Sequence, residues 1–131
     1  QAVKFKDIWP GANIGKIITV TTPHSEALTK KKPVTWKEKL RLILEEIDNL
    51  NFDFATVGCG GLSLHVCDHI KKMGKPSIHL GGGNQLLYGI MGKRWDEGFK
   101  NFSWYGTSSW TRPLKEDTPE NKNLVENGCY W

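Results

Sequence analysis

Apolar residues recur every third or fourth position over residues 36–50, the spacing of one face of an α-helix. Thr35 and Glu38 fit the S/T-x-x-E capping box, so the helix is predicted to begin near Trp36. Burying five aliphatic side chains at about 1.5–3 kcal/mol each outweighs a cap of about 1 kcal/mol. Burial of this face should therefore decide where the helix packs. The apolar face comprises Leu40, Ile43, Leu44, Ile47 and Leu50. The predicted polar face comprises Lys37, Lys39, Arg41, Glu45, Glu46 and Asp48.

A different pattern follows over residues 52–95. Residues 54–57 and 77–80 are short β-prone runs, and a glycine turn follows each, at 58–61 and 81–83. Helical spacing predicts a crossover helix over 62–73, stopped by Gly74, and a second short helix over 84–91. Two strands joined by a crossover helix should be parallel. Both turns then leave the carboxyl edge of one sheet, where open α/β sheets bind ligands.

The remaining segments have weaker patterns. Residues 1–13, which hold Phe5, Ile8 and Trp9, are interpreted as an extended arm whose aromatics dock on the domain, and the β-branched run 14–20 as the first strand. Residues 25–33 read as a polar loop, and His24 would lie at a strand end. Residues 96–131 are rich in aromatics, Gly, Pro and Asn, and are expected to wrap the sheet edge as an irregular tail. The predicted fold class is a small Rossmann-like three-layer α/β domain with a short parallel sheet, spanning residues 1–131 as a single domain.

Composition agrees with a small globular domain. The chain has 131 residues, 38% of them hydrophobic and 24% charged. No apolar run approaches the about 18 residues of a transmembrane helix, so no membrane partner is expected. The net charge of +4 is dispersed apart from Lys30, Lys31 and Lys32, which a solvated loop explains. Nucleic acid is therefore not an expected partner.

Three cysteines are too few for a disulfide scaffold. Cys67 lies beside the apolar stripe of the crossover helix and is interpreted as a small core residue. A bridge between Cys59 and Cys129 and a homodimer linked through Cys129 remain open alternatives. The chain begins with Gln1, and Asn101 opens an Asn-Phe-Ser glycosylation sequence. Together these signs favour a secreted, processed protein.

The two glycine turns are the first candidate site. Glycines let the backbone approach a ligand closely, and each turn aims a helix start at the same crevice. This chemistry suits sugar hydroxyls, carboxylate or phosphate, although no dinucleotide-binding or P-loop pattern is present. Tight turns without a ligand are the alternative interpretation. The predicted ligand-binding residues here are Gly60, Gly61, His79, Gly81, Gly82 and Gly83.

A second candidate group follows along the chain. Arginine can hold a carboxylate or phosphate in a two-pronged contact, and a tryptophan face can stack on the apolar side of a sugar. Surface charge around a core tryptophan is the alternative interpretation. The group comprises Gln85, Lys93, Arg94, Trp95 and Arg112.

Metal and catalytic chemistry find little support in the sequence. His65 and His69 stand four apart on the crossover helix, but no further ligand is placed near them, so no metal is expected. No Gly-x-Ser-x-Gly nucleophile pattern occurs, and no catalytic residues or cofactor are assigned. The adjacent acids Asp96 and Glu97 are interpreted as facing solvent.

The stretch 51–95, with its segment "QLLYGIMGKRW", the "TRPL" at 111–114 and the ending "VENGCYW", resembles the C-terminal half of the GT-D-like family. That family is similar to the GT-D-type glycosyltransferases. The resemblance implies a Rossmann-like fold and a sugar or nucleotide-sugar site near Gly81, Gly82, Gly83, Gln85, Lys93 and Arg94.

The expected function is carbohydrate binding of a lectin-like kind, favouring acidic sugars, with a sugar or nucleotide-sugar as ligand. The first alternative is an enzyme, namely the donor-binding part of a glycosyltransferase lacking its N-terminal half. A structural or storage protein with a vestigial pocket is the second alternative.

Overall fold

A computed structural model of the protein describes residues 1–22 and 35–131. Short helices and one small sheet make up its regular structure. In chain order the elements are α1 (Phe5–Ile8), α2 (Trp36–Asp48), β1 (Ala55–Val57), α3 (Ser63–Lys72), β2 (Ser77–His79), α4 (Gly83–Leu87) and α5 (Lys93–Phe99). Single 3₁₀ turns lie at Ala2–Lys4, Gly60–Leu62, Lys122–Leu124 and Glu126–Gly128. The mixed α/β class with a short parallel sheet is thereby confirmed.

The chain divides into two compact units. The described residues of the first, the sheet unit, are 18–22 and 35–84. Those of the second, the aromatic unit, are 1–17 and 85–131. The single-domain organisation expected from the sequence stays a prediction.

The sheet of the sheet unit has two strands. β1 pairs with β2 in parallel, with Ala55 opposite Ser77 and Val57 opposite His79. The predicted order of strand, glycine turn, helix, strand is confirmed, because α3 connects the two strands. The turns at 58–61 and 81–83 therefore follow the carboxyl ends of neighbouring strands.

The core of the sheet unit forms where α2 and α3 meet β1. Its buried members are Ile43, Ile47, Val57, Val66 and Ile70. Cys67 packs against this cluster as a partly buried residue, which confirms its interpretation as a small core side chain. Each fully buried aliphatic side chain stabilises the fold by about 1.5–3 kcal/mol.

The start of α2 follows the sequence prediction. The Thr35 hydroxyl accepts a hydrogen bond of 3.2 Å from the backbone N–H of Glu38. The prediction was wrong for Lys39, which is only 8% exposed although it was assigned to the polar face. Lys39 precedes Ile43 by four residues, and residues four apart share one side of a helix.

The N-terminal segment belongs to the aromatic unit and is helical rather than extended. Phe5 and Ile8 are buried in α1, and Trp9 donates its indole N–H to the carbonyl of Leu87 at 2.8 Å. The prediction of an extended arm was wrong, because backbone hydrogen bonds between near neighbours form helical turns, for example from Trp9 N–H to the carbonyl of Phe5. Docking of the segment's aromatics is confirmed, since Phe5 contacts Tyr88 and Trp9 contacts Leu87.

Aromatic rings in contact form much of the aromatic unit. The Trp104 ring centroid lies 5.8 Å from both Trp9 and Trp110, and Tyr105 lies 5.0 Å from Trp110. Trp110 is 6% exposed. Aromatic pairs at such separations contribute about 0.5–1.5 kcal/mol beyond their buried area. The rings hold the irregular tail together where regular backbone pairing is scarce.

Two further predictions were wrong. Residues 14–20 form no strand and no backbone hydrogen bond to another described residue, and Ile14 and Ile18 are half-exposed. A β-branched run becomes a strand only where a neighbouring strand supplies hydrogen bonds. Regular structure also continues beyond Trp95, since α5 extends to Phe99. The expected loop 25–33 and His24 lie outside the described residues.

Within residues 1–22 and 35–131, no helix combines the length and the apolar character that crossing a membrane requires.

Candidate functional site

The two glycine turns of the sheet unit are in direct contact. A methyl group built on Gly58 would lie 2.7 Å from the carbonyl oxygen of Gly81 and 2.6 Å from Cβ of Asn84. No real Cβ tolerates such distances, so the backbones meet here only because residue 58 is glycine. The turns are therefore neighbours at one edge, as their positions after parallel strands predicted.

Backbone donors remain free at this edge. The N–H groups of Gly60, Gly61 and Gly82 form no hydrogen bond with any described residue. Gly60 and Gly61 are exposed, and a Cβ at either would meet nothing within 4 Å. The N–H groups of Gly81 and Gly83 are instead used inside the second turn. The edge thus offers three unsatisfied donors to an oxygen-bearing ligand.

His79 ends β2 and folds back over the second turn. Its Nδ1 lies 3.3 Å from the backbone nitrogen of Gly81 and 3.3 Å from the carbonyl oxygen of Val57. When Nδ1 accepts from Gly81, the neutral ring carries its hydrogen on Nε2. When Nδ1 instead donates to the Val57 carbonyl, Nε2 is an acceptor, so the exposed imidazole offers one further polar atom at the same edge.

The first turn is fixed from within. Ser63 is fully buried, and its hydroxyl accepts a hydrogen bond of 3.0 Å from the backbone N–H of Cys59. Asn84 lies against Gly58 from the second turn, and its Oδ1 is buried without a hydrogen-bond partner among the described residues. These contacts make the edge a fixed surface rather than a loose pair of loops.

Gln85, predicted as a ligand contact, lies in the aromatic unit and holds the end of the chain. Its side-chain Nε2 donates to the carbonyl of Tyr130 at 2.7 Å and lies 3.4 Å from the carbonyl of Met91. Gly92 is close by, since a Cβ there would lie 3.0 Å from the same Tyr130 oxygen. The amide thus pins residues 129–131 against the segment 85–92.

Arg94 belongs to the same contact. Its guanidinium donates to the Tyr130 hydroxyl at 2.9 Å, pairs with Glu126 and lies 4.8 Å from the centroid of the Tyr130 ring. Its backbone N–H also donates to the carbonyl of Cys129 at 2.8 Å. Glu126 adopts φ +44° and Asn127 φ +55°, left-handed values that side-chain-bearing residues rarely take. A carboxylate ligand at Arg94 would have to compete with Glu126.

Arg112 pairs with an acid that the sequence analysis had assigned to solvent. Asp96 accepts 2.8 Å from Arg112 and 2.9 Å from the Tyr105 hydroxyl. Burial raises the pKa of Asp96, but the hydrogen bonds from Arg112 and Tyr105 outweigh it and hold the pKa below its usual value. Burial and the Asp96 carboxylate raise the pKa of Tyr105 to about 12.

The other predicted residues of this group, Lys93 and Trp95, make fewer polar contacts. Lys93 is exposed at the start of α5. Trp95 is partly buried against Phe99 at 5.9 Å, and its indole N–H is buried without a partner among described residues. All five predicted residues belong to the aromatic unit. Of these five, Gln85 and Arg94 contact the C-terminal segment, whereas Arg112 contacts Asp96. Their role as ligand contacts stays a prediction.

Other chemical groups are sparse in the described chain. Residues 1–22 and 35–131 contain no group of three or more His, Cys, Asp or Glu that could hold a metal ion. His69 instead pairs with Asp48 at 2.7 Å. Cys59, Cys67 and Cys129 are free thiols. An open cavity of about 300 Å³ lies beside α1, lined by residues from Ala2 to Ile17, and shares no residue with the predicted site.

Comparisons of the chain with protein-family models, with curated proteins and with solved structures found no match.

Sequence reasoning missed the roles of two side chains. Asp96 was taken as solvated because its partners lie 9 and 16 residues away, beyond any local pattern. Trp36 was read only as the start of α2, yet it is 53% exposed and stacks on His65. The spacing gave no signal of this exposure, because Trp36 continues the apolar stripe of Leu40 and Ile43 and burial is what that stripe predicts.

Proposed function

We propose that the protein is a carbohydrate-binding, lectin-like protein whose site is the carboxyl edge of β1 and β2. The observation that carries this proposal is the set of free backbone N–H groups on Gly60, Gly61 and Gly82, at turns that touch each other. Fixed donors without side chains accept a closely approaching, oxygen-rich ligand. A sugar supplies several such oxygens on one ring.

The chemistry of the edge suits hydroxyl groups. Each neutral hydrogen bond contributes about 0.5–1.5 kcal/mol net, so three backbone donors and His79 support weak binding. A single open site of this kind is expected to bind in the millimolar to micromolar range, about −4 to −8 kcal/mol. Binding at several copies would raise the apparent affinity.

A preference for acidic sugars has support from the start of α3. The free N–H groups of Gly60 and Gly61 precede this helix, whose first turn carries partial positive charge. A sugar carboxylate there would gain about 0.3–1 kcal/mol from the helix. The arginines already have carboxylate partners, Arg94 with Glu126 and Arg112 with Asp96. The preference therefore rests on the backbone donors.

The alternative function is the donor-binding part of a glycosyltransferase. The same free N–H groups before α3 favour it, because backbone donors at a helix start also bind phosphate oxygens. Under this alternative a nucleotide-sugar binds through its diphosphate, and the free sugar does not bind.

Calorimetric or NMR titration separates the two. The probes are methyl β-glucoside, methyl β-glucuronide and UDP-glucose, each added to the wild-type chain and to Gly61→Leu. Residue 61 has open space for a side chain, so a leucine there would cover the donors without a clash. The matched control is Gly98→Leu, since Gly98 is also exposed with open space.

Binding of a methyl glycoside that Gly61→Leu abolishes and Gly98→Leu preserves is the expected result. Binding of UDP-glucose alone replaces the lectin-like function with the transferase alternative. Equal binding by both variants would move the site away from this edge. Absence of binding to all three probes would overturn the carbohydrate function.

We further propose that the protein is a member of the GT-D-like family, has a Rossmann-like three-layer arrangement, is secreted and forms a homodimer. Cys129 is a free thiol and can form a disulfide between two copies of the chain. The variant Cys129→Ser cannot form this disulfide. Sedimentation of both forms under oxidising conditions would reveal such a link.

A further inference from the structure

Trp36 is a half-exposed aromatic ring that packs against a second ring. It is 53% exposed at the first position of α2. Its indole stacks on the exposed imidazole of His65, with ring centroids 5.8 Å apart and planes 22° apart. Lys37 Nζ lies 5.8 Å from the indole centroid. The core of the sheet unit uses neither ring.

The ring pair lies at the side of the sheet unit that carries the glycine turns. α2 and α3 touch near both their starts, through Trp36 and His65, and further along, through Asp48 and His69. The two helices therefore run in the same general direction. α3 begins immediately after the first glycine turn, and His65 follows Gly61 by about 6 Å of helix rise. Trp36 therefore packs beside the first turn of α3, the end of the helix that follows the first glycine turn.

We propose that Trp36, backed by His65, is the stacking platform of the carbohydrate site. This inference rests on the proposed function and names the ligand class more closely. The ligand is a pyranose with a continuous apolar C–H face for the indole and hydroxyl or carboxylate oxygens for the glycine turns. A rigid aromatic face beside polar backbone groups is the usual composition of a small-molecule site.

A stacking role would explain why a large aromatic side chain is half-exposed at this position. A large exposed aromatic contributes little to the core, whereas its flat face removes apolar sugar surface from water. His65 holds the indole plane, which lowers the ordering cost when a ring stacks on it. Pyranoses with an axial hydroxyl in the middle of the stacking face should bind less well.

The test titrates methyl β-glucoside and methyl β-glucuronide into four chains: wild type, Trp36→Ala, Trp36→Phe and Leu42→Ala. Leu42 is the matched control, because it lies on the same helix and is 44% exposed. Saturation-transfer NMR reads out contact between protein and sugar C–H protons. Circular dichroism verifies that each variant folds.

The expected result is about tenfold weaker binding for Trp36→Ala, equivalent to about 1.4 kcal/mol, with loss of saturation transfer to C–H protons. Trp36→Phe should weaken binding about twofold, and Leu42→Ala should match the wild type. Wild-type affinity in Trp36→Ala, alongside lost binding in Gly61→Leu, overturns the platform and leaves the proposed function standing. Absence of wild-type binding to either sugar, or loss in Leu42→Ala equal to that in Trp36→Ala, also overturns the platform.

Discussion

The side-chain amide of Gln85 donates a hydrogen bond of 2.7 Å to the backbone carbonyl of Tyr130, 45 residues further along the chain. It also points towards the carbonyl of Met91 at 3.4 Å. Two carbonyl oxygens face one NH₂ group, so only a donor fits between them. The C-terminal segment is held by this contact and by Arg94.

We expect Gln85→Glu to destabilise the chain by about 1–3 kcal/mol, because a carboxylate would face these carbonyl oxygens without a hydrogen to donate. Chemical denaturation measures the change. Asn101→Asp makes the same chemical change on an exposed side chain without a described hydrogen bond, and should be nearly neutral. Equal stability of the two variants would contradict the role assigned to Gln85.

Gly58→Ala should destabilise the chain by about 1–3 kcal/mol, because the added Cβ meets Gly81 and Asn84 at 2.7 and 2.6 Å. Gly61→Ala is the matched control, since a Cβ there meets nothing within 4 Å. The control should be neutral or slightly stabilising, as glycine loses more freedom on folding. Thermal unfolding compares the two. A Gly58→Ala chain as stable as Gly61→Ala would mean that the turns are further apart.

Tyr105 should ionise near pH 12, because burial and the Asp96 carboxylate disfavour the phenolate. The neutral Tyr105 side chain stabilises the folded state. Because its folded pKa is raised, this contribution is complete below the unfolded value of about 10 and is lost as pH rises towards 12. Asp96→Asn should lower the pKa of Tyr105, since it removes the anionic acceptor. Ultraviolet titration of tyrosinate, with Tyr105→Phe to assign the signal, measures both. Glu97→Gln, the neighbouring exposed acid, should leave the titration unchanged.

The contact between Asp96 and Tyr105 also predicts how the stability of the fold changes at acidic pH. The pKa of Asp96 is lowered, so its stabilisation is present above the unfolded value and is lost as pH falls through the folded one. Asp96→Asn should therefore destabilise the chain at neutral pH and make little difference at strongly acidic pH. Denaturation at two pH values checks the sign. An effect that grows on acidification would contradict it.

A double-mutant cycle with Arg94→Met and Glu126→Gln should give a coupling of about 0.5–1 kcal/mol that decreases with added salt. The modest size follows from exposure, since the two side chains are 35% and 57% exposed. Lys100 and Glu97, 57% and 86% exposed in the same unit, form a control pair that should couple less. Larger coupling in the control pair would show that Arg94 is not a principal attachment of the C-terminal segment.

Local sequence patterns predicted the elements of the sheet unit well. They fail where an element depends on a partner that is distant in sequence. The capping box at Thr35 and the stripe through Ile43 and Ile47 involve neighbours in sequence, which a period reveals. The run 14–20 has strand propensity but no described pairing partner, and propensity alone does not supply one.

The candidate site divides in the same way. Glycines after strands indicated the edge where Gly60 and Gly61 lie, because strand direction and turn position follow from order along the chain. The partners of Arg94 and Arg112 were not predictable, since each ion pair joins α5 to a residue of the irregular tail far along the chain. Spacing carries no signal for such contacts.

The parallel pairing of β1 and β2 has a consequence for how quickly the sheet unit assembles. Neither strand can find its neighbour through a hairpin, because α3 lies between them along the chain. The two strands can reach their paired positions only once α3 has formed. Weakening α3 at an exposed position, as in Lys71→Gly, should therefore slow refolding more than it speeds unfolding, which stopped-flow kinetics would detect.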